Sequence, residues 1–474
     1  MLVWFSLSHG TYALIGLLIV IPFSIFFLNK PKLLYILLIA LFFSGVRVPG
    51  ILADFNLHHF AVILFVALSF LDFFMRKERP RLDWISSLLT FLFLANLFVL
   101  ILFRGTGFRF LGGDSWGGMR YVFITLSGML FLSSRYISLD KEYWPFTIFM
   151  LCFMGVLPFL SELIYTLTGG AFFIHYYFFE FAGATALNFE NMIGLGVGVG
   201  RFQTAFLAGE SLVLFVVSFW YWKKLRFLSL GILLPLAVFL IGISGHRIGV
   251  IRFGFIIWLY YFMALKISKT RYVCYSLFIV VISLMLIYLV APFLPYTLQR
   301  SVSFLPGINI DFIAEISAFS TTDWRLNVWL DALKEIPEYF WLGKGYTFPA
   351  NIQEQLMLTG TRDHIERWAF ETSAFHNGIL SLLIGMGIIG LLIGSGLLIH
   401  FVIRYYRFAM KDWENKSLHS FYMAVFALNA VNILMFFTLY GDVQVSFPRI
   451  FFLAMLLEGL LLSEGKDNII IKSF

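Results

Sequence analysis

Charge is scarce in this chain. Asp, Glu, Lys and Arg together make up 13% of its 474 residues, where a soluble domain carries about 25%. That shortage excludes an ordinary water-soluble enzyme. Cysteine is scarcer still: Cys152 and Cys274 both lie in apolar runs, so neither a disulfide framework nor a Cys-ligated metal is expected. No removable leader is expected either, because Met1 to Tyr12 contains no Lys or Arg and the first apolar run leads straight into Lys30-Pro31-Lys32. No basic tail, low-complexity tract or appended soluble domain is visible. The net charge of +7 is therefore expected to reflect membrane orientation, and nucleic acid is not an expected partner.

What the chain has instead is apolar surface. Hydrophobic residues make up 60% and aromatics 19%, arranged in runs of roughly 18–22 residues, each long enough to cross a bilayer. Candidate spans fall near 9–28, 33–51, 59–75, 84–103, 119–134, 144–167, 204–222, 227–245, 249–265, 273–293, 377–402, 418–438 and 446–463. The expected fold class is an all-α polytopic membrane protein of about 12–13 transmembrane helices.

Every second connection is basic. Lys30 and Lys32 begin the series, followed by Arg76 to Arg81, Arg135 and Lys141, then Lys223 to Arg226, Lys266 to Arg271, Arg404 to Lys416, and finally Lys466 and Lys472. The positive-inside rule puts that side in the cytoplasm. The other side holds the long connections, about 104–118, 168–203 and 294–376. Three regions result: helices over 1–293, an outer cap over 294–376, and C-terminal helices over 377–474. The cap contains Trp324, Trp329, Trp341 and Trp368, with an amphipathic helix expected over 322–335. A connection of that length in a compact protein is usually functional.

The residues that carry chemistry gather on this outer face. Arg201 ends the 168–203 loop, and Arg247 lies in Ser244-Gly-His-Arg247 between two spans. Arg325 opens the amphipathic helix, and His376-Asn377 closes the cap just before a membrane helix. Positive charge at this level is costly and usually faces a cavity or pathway. Several guanidiniums together suit a polyanion, since the planar fork grips phosphate oxygens in pairs. An outer-face polyanion within reach of an integral protein suggests a lipid-linked phosphate or pyrophosphate. The bland readings are that the arginines snorkel to headgroups and that His376 merely caps a helix. Arg252, Glu210 and Asp442 are further candidates, each explained equally well by helix-packing hydrogen bonds. Beyond His376, Gly390 and Gly394 form a small-residue face, with Gly387 one turn earlier; such a face lets a neighbouring helix approach closely.

His376-Asn377 followed after nine residues by Gly387-Ile-Ile-Gly390 resembles the signature of the bacterial O-antigen ligase and O-antigen polymerase superfamily. So does the Arg325, Trp329, Ala332 helix leading through Ile336-Pro337 to Leu342-Gly343-Lys-Gly345, and the Ser/Gly-rich turn with Arg247. The overlap covers about 240–395. His246 and Ile248 depart from the family pattern, and no Pro-Asn follows Arg201. The resemblance implies a GT-C-like, metal-independent membrane glycosyltransferase with no cofactor, in the bacterial inner membrane with its active site at the periplasmic face. Its donor would be a glycan on undecaprenyl pyrophosphate. His376 would be the base, Arg247, Arg325 and Arg201 would bind the pyrophosphate, and Asn377, Gly387 and Gly390 would support the site. The acceptor would be another lipid-linked glycan for a polymerase or the lipid A core for a ligase; membrane lipids and a chain-length regulator complete the expected partners. The size of the cap tilts the reading toward a polymerase. A transporter of an anionic lipid-linked glycan is the alternative from another class, against which stands the absence of internal repeats.

Overall fold

The computed structural model describes residues 30–42, 57–75, 83–107, 115–134, 139–168, 202, 204–219, 229–265, 267–349 and 362–464. They form a helical bundle. Its first half contains α1 (Pro31–Leu41), α2 (Leu57–Met75), α3 (Trp84–Arg104), α4 (Gly118–Ser133), α5 (Trp144–Leu167), α6 (Ala205–Ser218) and α7 (Leu234–Ile243), the last preceded by a π turn. Then follow α8 (Arg247–Ala264), α9 (Lys269–Val290), α10 (Tyr296–Val302), α11 (Phe312–Tyr339), α12 (Arg362–Glu371), α13 (Gly378–Ala409), α14 (Lys416–Thr438) and α15 (Val443–Ser463). Among the described residues the strands are limited to Ser115–Trp116 and Phe348–Pro349, which pair antiparallel.

Seven of these helices are long and apolar enough to cross a membrane, and five shorter apolar helices occupy the places of further expected spans. The span expected at 9–28 lies outside the described residues. The all-α, multi-pass reading therefore holds. Helices α14 and α15 form the centre: 72% of the most apolar stretch of each is buried, against none of α9. An apolar helix so exposed is stable only against lipid or another apolar surface.

The segment between α9 and α13 has an apolar core of its own. Val328 and Ala332 of α11 pack with Ala369 of α12, with Phe375, and with Leu380 and Ile384 of α13; Trp324, Trp329 and Trp368 close around them. The helix expected over 322–335 is part of the longer α11, started ten residues earlier by Asp311, whose carboxylate accepts from the Ile313 N–H at 2.8 Å.

Helix α13 is broken. Gly387 has φ 72° and ψ 179°, a conformation essentially restricted to glycine. Backbone groups released by the break pair with the preceding connection: Lys344 N–H donates to Ile384 O at 2.6 Å, Gly345 N–H to Gly385 O at 3.0 Å, and Ile388 N–H to Phe340 O at 2.7 Å. Irregular backbone at membrane depth is tolerated only where protein satisfies it in this way. The two arms fold sharply toward each other. Leu382 Cδ2 lies 2.9 Å from where a Cβ on Gly394 would stand, although twelve residues of straight helix would separate the two by about 18 Å. Gly387, one turn before the expected packing pair, is where the backbone turns, and the Trp341 and Leu342 backbone approaches it closely. Gly390 and Gly394 do meet a neighbour closely, with Asn96 and Phe93 of α3 against them. Arg104, at the end of α3, donates from Nε to the Gly343 carbonyl at 2.8 Å and ties the inserted connection to the bundle.

Candidate active site

His376 sits in the turn between α12 and α13 with φ 51°, and Ser373 three residues earlier has φ 55°. Non-glycine residues are uncommon in the left-handed region and stay there when the surroundings over-determine them. Here they do. The His376 N–H donates to Asp442 Oδ1 at 2.8 Å, and His376 Nδ1 lies 2.7 Å from Asp442 Oδ2. Trp329 Nε1 donates to the Phe375 carbonyl at 2.6 Å. Arg120 of α4 donates to the Thr372 carbonyl, and Lys344 pairs with Glu371 at 2.7 Å. Asn377 then starts α13, its side-chain oxygen accepting from the N–H groups of Ile379 and Leu380.

The imidazole is flanked by rings. It stacks on Tyr440 at 4.5 Å between centroids and 16° between planes, and meets Trp324 edge-on at 5.5 Å. The Arg325 guanidinium lies over the same two rings, 5.5 Å from the Tyr440 centroid and 5.8 Å from that of Trp324. Burial lowers the Arg325 pKa, opposed by Tyr440 and Asp442. The Tyr440 phenol is pushed up to about 12 by burial and by the Asp442 carboxylate, against the pull of Arg325. It is a neutral hydrogen-bonding group at ordinary pH.

Two more arginines approach along α11. Arg247 opens α8 just after Gly245, whose φ is 66°, and its Nη2 donates to Thr322 Oγ1 at 2.9 Å. Arg300, near the end of α10, is 3% exposed and donates to Ser317 Oγ. Burial and then the charge of Arg325 push Arg300 down to about 10. Arg247 is within electrostatic reach of both Arg300 and Arg325. The structure thus brings Arg247, Arg325 and His376 to one region.

Arg201 lies outside the described residues. Arg252 turns elsewhere, its Nε 2.8 Å from Glu210 Oε1, while Glu210 also accepts from Arg449; this triad ties α6, α8 and α15 together. Sequence reasoning missed Arg300, which lies in the last turn of a seven-residue helix in a stretch without a motif, and left Asp442 as one of several equal candidates. A signal for Asp442 existed: an acidic residue at the outer end of the last span but one, on the same face as His376.

A region of the chain, residues 232–395, matches the family model described as O-Antigen ligase. The match runs from the turn before α7 into the second arm of α13, so it contains Arg247, Arg300, Arg325 and His376 but not Tyr440 or Asp442. No curated protein matches the chain. The chain is thus a multi-pass membrane protein that carries an O-antigen ligase domain over residues 232–395, a domain whose family members are glycosyltransferase-like enzymes.

Proposed function

We propose that the protein polymerises a bacterial surface polysaccharide at the outer face of the inner membrane, using a glycan carried on undecaprenyl pyrophosphate. The observation that carries this reading is the His376–Asp442 pair beside Arg325. A carboxylate oxygen 2.7 Å from Nδ1 favours the tautomer in which Nδ1 bears hydrogen, leaving Nε2 to accept a proton. The hydroxyl oxygen of an acceptor sugar attacks C1 of the donor glycan. Its proton passes to His376 Nε2, and the bond from C1 to the pyrophosphate oxygen breaks with its electron pair going to that oxygen. Arg325 and Arg247 stabilise the charge that develops, a role in which one lost donor costs about 2–4 kcal/mol. Asn377 caps the first turn of α13, and Gly387 and Gly390 allow the close contacts at the break in that helix.

The ligase reading, transfer to the lipid A core, is favoured by the match to an O-antigen ligase family model. The two separate in one assay. Purified protein is given the lipid-linked repeat unit alone, and longer glycans are sought on a gel. We expect a ladder, reduced by about 10²–10⁴ in initial rate by His376→Ala. Transfer only after lipid A core is added would replace the polymerase with a ligase, and full activity of the variant would remove the histidine mechanism.

A further inference from the structure

The three arginines of the site meet a single helix in a definite order. Along α11 come Ser317, which accepts from Arg300, then Thr322, which accepts from Arg247, then Arg325 itself. At the α-helical rise the interval from Ser317 to Arg325 is about 12 Å, and at 100° per residue the three positions fall within an arc of roughly 140°. They form a row on one side of the helix.

The ends of that row differ. Arg325 shares Tyr440 and Trp324 with His376, so the chemistry lies at its end. Arg300 belongs to α10, which is seated against the end of α7: Ser301 Oγ donates to the Gly242 carbonyl at 2.8 Å. Helix α10 follows closely on α9, the helix whose apolar stretch is wholly unburied, by way of Phe293, which is 85% exposed. One end of the row faces the base, and the other adjoins the apolar surface. Nor is Arg300 a snorkelling residue, since its side chain is buried.

We infer that the donor diphosphate lies along α11 in one direction, with Arg325 on the sugar-proximal phosphate, Arg247 between, and Arg300 gripping the lipid-proximal phosphate. The inference rests on the proposed function for the identity of the ligand. It makes Arg300 a binding residue and sends the polyprenyl chain out past α10 toward α9. When C1 parts from its oxygen, the new charge appears on the sugar-proximal phosphate. The lipid-proximal phosphate keeps its charge throughout, so Arg300 acts equally on ground and transition states and its loss raises KM rather than lowering kcat.

The test compares two lipids. Undecaprenyl monophosphate carries the lipid-proximal phosphate alone, and undecaprenyl pyrophosphate carries both. Binding of each to the full-length protein in nanodiscs is measured for wild type, Arg300→Gln and Arg325→Gln. We expect Arg300→Gln to weaken both lipids by about 10-fold or more, and Arg325→Gln to weaken only the pyrophosphate. The opposite pattern, or unchanged binding of both lipids by Arg300→Gln, would overturn the assigned direction. Arg300→Lys guards against misfolding, because it keeps the charge but loses the fork: donor KM should rise while kcat stays close to wild type. A fall in kcat at unchanged KM would count against the inference. Wild-type protein that binds neither lipid would sink the proposed function itself, an outcome distinct from a reversed order.

Discussion

Asp442 acts on His376 twice, through the backbone N–H and through Nδ1. The first contact helps hold a histidine in the left-handed region, and the second fixes its ring. Asp442→Asn should therefore lower kcat by roughly 10²-fold or more while leaving donor KM nearly unchanged, because the carboxylate supports the imidazolium that forms in the transition state. Steady-state kinetics on the purified variant decide the matter, and a rise in KM at constant kcat would assign Asp442 to binding instead. Of this group of residues, His376 with Asn377 was legible because a polar pair stands at the start of a long apolar run. Arg247 and Arg325 were legible because positive charge is disfavoured on the side opposite the basic loops. Asp442 was legible only as one of several equal candidates, and Arg300 was not legible at all. Their significance lies in what faces them across the bundle, 66 residues away in sequence for the His376–Asp442 pair, and no local spacing records that.

At the scale of elements, the break in α13 governs the site. A Cβ on Gly387 would stand 2.3 Å from the Trp341 carbonyl oxygen, and the backbone angles there already exclude an ordinary side chain. Gly387→Ala should destabilise the protein by about 3 kcal/mol or more. Gly396, on the second arm of the same helix, has nothing within 4 Å of its missing Cβ, so Gly396→Ala should be neutral or stabilising by up to about 1 kcal/mol. Thermal unfolding of the two variants in one detergent would expose the contrast, and equal midpoints would argue that the break is dispensable. Small residues at short intervals look alike in sequence whether they admit a neighbouring helix or turn the backbone. That is why Gly390 and Gly394 were legible as close-packing positions, while the backbone break at Gly387, one turn earlier, was not. The contacts that separate the two cases come from residues 340–345, and hydropathy carries no information about them.

For the molecule as a whole, hydropathy was enough to locate the helices, because lipid imposes length and apolarity on each span independently. Orientation rests on the distribution of basic residues, and it can be checked directly. Cys274 is exposed and Cys152 buried, so Cys274→Ala supplies a background for single new cysteines. Leu330→Cys in α11 should react with an impermeant maleimide in intact spheroplasts, and Lys411→Cys only after lysis. The reverse pattern would put the site on the cytoplasmic side.

The helices that carry the site are joined by charge far from it. Arg404 of α13 reaches Glu458 of α15 at 3.0 Å and Asp83, at the start of α3, at 3.2 Å. The opposite ends of the same three helices carry the folded-back arm of α13, Arg104 and Asp442. Buried ion pairs of this kind are costly to open one partner at a time, so the three helices are fixed to one another at that end. The register of His376 with Asp442 therefore rests in part on a junction at the far end of the same helices.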